Sequence, residues 1–166
     1  PRFNAQVSTL DIKNGISEYR KLKGYNPDIV IVDSMDLLTD ANRRSWGADH
    51  ERAKRIAVAN DLKDLAADEK VWMGGTYQST IEDREWLNDE RNVLTEYNCS
   101  EAKGLARPCT HLVSLNQSSA ERKENVMRLH VAKSRFFKKG DTIRIATDYD
   151  NEVFHDGQRT LNLNRE

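Results

Sequence analysis

Three short stretches hold side chains whose type and spacing suit chemistry. Asp33 closes the apolar run Ile29–Val32. A carboxylate fixed at a strand end offers the hard oxygen ligand that Mg²⁺ takes beside the phosphates of a nucleotide, although a lone Asp after an apolar strand is also an ordinary turn former or helix cap. Gln78 ends the stretch GGTYQ. Its amide has the chemistry to touch a γ-phosphate or orient an attacking water without adding charge, and in isolation it reads equally well as a polar strand-to-loop junction. Lys133 and Arg135 stand two apart in KSRFFKKG. Strand residues two apart share a face, so both cations project the same way. Such a pair suits a transition-state contact reaching into a neighbouring subunit; it also suits a charged edge that blocks aggregation. Lys138 and Lys139 extend the basic tip and read as solvated charge.

The elements that must position these groups are legible in the hydrophobic pattern. Ser8 with Asp11 three residues on forms a capping box opening a helix, with Ile12, Ile16 and Tyr19 on one face and Gly24 and Pro27 beyond its end. The run 29–33, IVIVD, has the unbroken β-branched character of a parallel strand buried on both faces. Residues 34–49 read as a loop with a basic, aromatic tip at Arg43, Arg44 and Trp46. A helix over about 49–69 carries the stripe Val58, Leu62, Leu65 and Ala66, and a second buried strand spans about 71–77.

Residues 79–98 are charged and aperiodic, long for a loop inside a compact domain, and loops of that length are usually functional or disordered. A short helix near 99–107 leads through Pro108 to a strand at 111–115. Strands at 126–132 and 142–147 flank the KSRFFKKGD segment as a hairpin. This order predicts an α/β fold, a mainly parallel sheet flanked by helices with antiparallel pairing near the C-terminus. Ligands of such sheets bind beyond the carboxyl ends of the strands, where Asp33, Gln78 and the end of the 126–132 strand all fall.

Composition sets wide bounds. In 166 residues, 26 basic side chains face 27 acidic ones, a balance that neither demands nor excludes a nucleic-acid partner. No apolar run reaches the length of a membrane helix, the N-terminus has no signal-peptide character, and Cys99 and Cys109 form neither a CxxC nor a ligand cluster. The expectation is a reduced, cytoplasmic protein without a membrane partner. Pro1 is not an initiator residue, which points to an excerpt or a processed product. A receiver-type phosphoacceptor reading of Asp33 fails, because no acidic pair ends an earlier strand and Lys133 lies a hundred residues downstream.

Taken together, PDIVIVDSMDLL, DLKDLAADEKVWMGGTYQS, HLVSLNQS and LHVAKSRFFKKGDTIRI resemble the DnaB-type replicative helicases, including phage primase-helicases, over about residues 5–156. The resemblance implies the C-terminal half of a RecA-like P-loop ATPase core. That core belongs to a hexameric ring of identical subunits that hydrolyses ATP or another nucleoside triphosphate with Mg²⁺ and moves along single-stranded DNA. It assigns Asp33 as the Walker B carboxylate and metal ligand, Gln78 as the sensor, and Lys133 and Arg135 as a pair acting in trans. The channel-lining loops would then offer Arg43 and Arg44, and Arg84 and Arg91, to DNA; plain surface charge is the competing reading, since Glu82, Asp83, Glu85, Asp89 and Glu90 crowd the second loop.

The sequence also departs from the family pattern. No G-x-x-x-x-G-K-[ST] occurs, the chain starts too late to include the strand before Walker B that carries the family's catalytic glutamate, and Thr110 stands where the family often has Asp. The chain alone is therefore expected to be inactive. A strand-exchange recombinase, a KaiC-like ATPase or a non-catalytic binding module without a P-loop remain the alternatives.

Overall fold

The computed structural model describes residues 7–42, 50–79, 81, 83–98, 104, 106–136 and 138–156. They form two compact units: Pro1–Gln78 with Glu101–Cys109, and Ser79–Ser100 with Thr110–Glu166.

In the first unit, helix α1 (Thr9–Lys23) opens on the predicted capping box. The Ser8 hydroxyl accepts from the Asp11 N–H, and the Ser8 N–H donates to Asp11 Oδ2 at 2.8 Å. Gly24 closes the helix at φ 79°, its N–H bonded to Arg20 O; the left-handed cap is where glycine carries no Cβ penalty. Strand β1 (Ile29–Val32) leads through a 3₁₀ turn (Met35–Leu37) to helix α2 (Glu51–Glu69) and strand β2 (Trp72–Gly75). β2 lies parallel to β1, with Ile29 opposite Trp72 and Val32 opposite Gly75.

The core of this unit is Leu38, Val58 and Leu62, with Ile12, Val32, Met35 and Met73 packed around it. Polar pins hold α2 in place. Asp61 Oδ2 accepts from Thr9 Oγ1 at 2.9 Å and from the Ala41 N–H at 2.8 Å. Asn26 Nδ2 donates to Glu69 O at 2.7 Å, beside an Arg20–Glu69 ion pair. One expectation is corrected: β1 is not buried on both faces. Val32 packs on the core, whereas Ile29, Ile31 (72% exposed) and Trp72 are open.

The second unit is a four-stranded antiparallel sheet in the order β3 (His111–Asn116), β4 (Val126–Ser134), β5 (Thr142–Asp148), β6 (Val153–Asp156). The fold is mixed α/β as expected, and the antiparallel part is the larger one. It takes in β3, because the connection through helix α4 (Ser119–Lys123) returns the chain beside β3 in the opposite direction. Helix α3 (Arg84–Asn88) falls within the stretch read as a loop. The helix expected near 99–107 lies largely outside the described residues; those described there form a turn.

Register divides this sheet into two unlike faces. One carries Val113, Leu115, Leu129, Val131, Ile143 and Phe154, with Leu115 and Phe154 more than half exposed. The other carries Asn116, Arg128 and His130, all buried. Backbone of residues 90–94 is bonded to that polar face.

Candidate functional site

Asp33 and Gln78 both follow the carboxyl ends of neighbouring parallel strands. The ladder continues one step past β2, with the Thr76 N–H bonded to Val32 O at 3.0 Å and the Met35 N–H to Thr76 O at 3.1 Å. This brings the two loops into register. The Thr76 hydroxyl donates to Asp33 Oδ1, and the Gln78 N–H donates to Asp36 Oδ2 at 3.1 Å. Arg55, on α2, lies over the Tyr77 ring, 5.6 Å from its centroid. Asp33 and Gln78 are both exposed. Sequence reasoning missed Thr76 and Asp36. Each bond spans more than forty residues, and only the pairing of β1 with β2 makes the partners neighbours.

Lys133 and Arg135 are in the second unit. Lys133 lies in β4 opposite Leu112, and Val131 lies opposite Val113, so Ala132 is an extra residue with no partner of its own. A bulge of this kind re-aims the side chains beyond it. Strict alternation through 129 and 131 would put Lys133 on the open apolar face; the bulge moves it to the other side. The ladder persists to the Arg135 N–H, bonded to Thr110 O at 3.1 Å. The Phe136 ring meets His111, 5.7 Å between centroids. Beyond the strand, Gly140 turns the hairpin at φ 95°, Lys138 pairs with Asp141, and Lys139 pairs with Glu96 at 3.9 Å.

Of the arginines considered for DNA, Arg43 and Arg44 lie outside the described residues. Arg84 is exposed at the start of α3, which Asp83 caps by accepting from the Glu85 and Trp86 N–H groups. Arg91 forks onto Asp89, with Nη2 to Oδ2 at 2.6 Å and Nε to Oδ1 at 2.9 Å. Those bonds hold the Asp89 carboxyl down at about 2 and raise Arg91 further.

The second unit has its own buried pair. Arg128 Nε donates to Glu121 Oε1 at 2.7 Å, and the Ser118 N–H donates to Glu121 Oε2 at 2.8 Å. Burial pushes the Glu121 carboxyl up, but the Ser118 N–H and the Arg128 bond and charge outweigh it, so the group sits below the usual carboxylate range.

Among the described residues no cluster of three or more His, Cys, Asp or Glu side chains forms a metal cage, and no helix is long and apolar enough to cross a membrane. Mg²⁺ does not need a cage of protein ligands. It takes one or two carboxylates and leaves its other positions to waters and phosphate oxygens. Asp33, exposed and oriented by Thr76, fits that requirement as a single ligand.

No family model and no curated protein sequence matches the chain. Solved structures do. The ATPase domain of a phage helicase superposes with a TM-score of 0.73 at 18% identity, over 90% of this chain and 51% of that one. A DnaB-like replicative helicase, solved with its interactions with primase in view, gives 0.72 at 19% identity, over 90% of this chain and 36% of that one. The chain thus shares its mixed α/β fold with part of each of these two structures, and it spans about half of the first structure's length and about a third of the second's.

Proposed function

We propose that the chain is the C-terminal half of the ATPase core of a DnaB-like DNA helicase, a motor that moves along single-stranded DNA as a hexameric ring. The observation that carries the proposal is the placement of Asp33 and Gln78, side by side past the carboxyl ends of two parallel strands, in a fold shared with helicase ATPase domains. Asp33 holds Mg²⁺, which supplies charge neutralisation at the transferred phosphate. Gln78 reads the phosphate and passes its state to the segment after it. Lys133 and Arg135 reach the site of a neighbouring subunit.

The open apolar faces support the half-domain reading. Ile29, Ile31 and Trp72 in one sheet, and Leu115, Ile143 and Phe154 in the other, are exposed. Apolar surface of this kind marks contact surface. A nucleotide-binding half, carrying a glycine-rich phosphate loop, would give these faces a partner layer.

A binding module without catalysis is the second reading, favoured by the lack of a G-x-x-x-x-G-K-[ST] in these 166 residues. The two part on one experiment. In the intact protein, Asp33→Asn removes the metal-attracting charge at constant shape. We expect nucleoside triphosphate turnover to fall to background with an unchanged circular dichroism spectrum and melting profile. Turnover near wild type would overturn the assignment of Asp33. The isolated chain is expected to show no turnover of its own.

A further inference from the structure

The Glu121–Arg128 pair takes no part in the chemistry above, yet its two members are 1% and 6% exposed. Beyond its bond to Glu121, the Arg128 guanidinium donates from Nη1 to Glu90 O at 2.6 Å and to Asn92 O at 2.9 Å. Two neighbours on the same face act on the same stretch of backbone. Asn116 Oδ1 accepts from the Leu94 N–H at 2.7 Å, and Ser114 Oγ donates to Leu94 O at 2.6 Å. Side chains of β3 and β4 thus hold the main chain of residues 90–94, in a segment that starts directly after Gln78. Further along, β4 carries Lys133, and its ladder ends at Arg135. The hairpin tip meets the same segment through Lys139 and Glu96.

Stability alone does not account for this pair. Desolvating two charges costs several kcal/mol each, and a well-packed apolar pair in their place is often as stable or more so. What an apolar pair lacks is the ability to fix two carbonyl groups at set positions relative to a strand.

We propose that Arg128, clamped by Glu121, is a positioning residue. It makes the segment after Gln78 and strand β4 a single body, so that a change at Gln78 is passed along the chain to Lys133 and Arg135. The role rests on the function proposed above. It differs from that function in acting on coupling between DNA and hydrolysis rather than on hydrolysis itself.

The test uses the intact protein with the apolar replacement Glu121→Leu plus Arg128→Met, and separately Arg128→Lys, which keeps a charge beside Glu121 without the guanidinium fork. Hydrogen exchange of the Asn92 and Leu94 amides is expected to rise by roughly tenfold or more in the double variant, while the amides of Leu129 and Val131 stay protected. Turnover without DNA is expected to stay near wild type, and its stimulation by oligo-dT to fall roughly tenfold. Arg128→Lys is expected to melt close to wild type and still lose most of the stimulation. Unchanged exchange at residues 92–94 in the folded double variant, or full stimulation in both variants, overturns the proposal. A loss of turnover in proportion to a fall in melting temperature also overturns it, since that is what a purely structural pair would give. Failure of the underlying function shows elsewhere, as a wild-type protein with no DNA-stimulated turnover.

Discussion

Among the described residues the Thr76 hydroxyl donates to Asp33 Oδ1, and that bond orients the carboxylate without neutralising it. A hydrogen bond to a charged group is worth about 1.5–3 kcal/mol. If Asp33 must meet a metal in a set direction, Thr76→Val, which keeps the shape and removes the donor, should lower turnover by roughly 10- to 100-fold and leave nucleotide affinity less affected. Steady-state kcat beside equilibrium nucleotide binding checks this; an unchanged kcat would show that the Thr76 bond is incidental. The Asp89–Arg91 fork gives a second test at this scale. Its carboxyl is held at about 2 in the folded chain by the Arg91 bonds, so any stabilisation it gives is present above the ordinary carboxylate range and lost as pH falls towards 2. Both partners lie at the surface, and the effect on stability is expected to be small. An NMR titration should find the Asp89 carboxyl rising towards the ordinary carboxylate range in Arg91→Ala, which removes the guanidinium bonds and keeps the backbone N–H of residue 91 on Asp89 Oδ1. That variant also frees the loop of its fork, so DNA affinity measured in parallel shows whether Arg91 contributes to binding. The strand-end positions of Asp33 and Gln78 were legible from the sequence because strand ends announce themselves in hydrophobic pattern. Thr76, Asp36 and Arg128 were not, since their roles depend on which distant backbone lies opposite.

At the scale of elements, the last residue of β2, Gly75, packs closely against β1 and Met35. A Cβ on Gly75 would sit 2.8 Å from Met35 Cγ and 3.0 Å from Val32 O. The Met35 side chain has some room to move, but the strand carbonyl does not. Gly75→Ala is therefore expected to push β2 from β1 at the step that sets Thr76 against Asp33, costing about 1–3 kcal/mol and depressing turnover along with stability. Chemical denaturation measures the first effect; a variant as stable as wild type would show that the sheet yields here without strain. Local signals made some elements readable. The Ser8–Asp11 capping box, the α2 stripe and the hairpin strands all appear where their residues place them. Helices α3 and α4 are five residues each and show no periodicity; their caps at Asp83 and Ser118 are the only local marks they leave. Strand β6 reads VFHD, too short and too polar to stand out. The bulge at Ala132 has no local mark at all, because it is a property of the pairing between β3 and β4 rather than of either strand.

At the scale of the whole molecule, the open faces explain why β1 looked buried on both sides in sequence and is not so here. An IVIV run is written for a strand with a layer on each face, and α2 with its neighbours supplies one of them. The proposed role of the Lys133–Arg135 pair is tested at the same scale. If that pair acts in trans, the unit of activity is the interface between subunits, and subunit mixing exposes it. Arginine fingers contribute roughly 10³–10⁵ in rate, far beyond the effect of a surface charge, so rings made only of Arg135→Ala subunits are expected to bind nucleotide and hydrolyse almost none. Rings made only of Asp33→Asn subunits should be equally inactive for a different reason. In a mixture, each interface that sets an Arg135→Ala subunit's intact Asp33 against an Asp33→Asn subunit's intact Arg135 is complete. Turnover should therefore reappear on mixing, reach its maximum at intermediate ratios and vanish at both ends. A cis-acting Arg135 predicts no recovery at any ratio, because every subunit then lacks one of its own two groups. Mixed rings of confirmed assembly that stay inactive throughout would return Lys133 and Arg135 to the role of a charged edge on the β4–β5 hairpin.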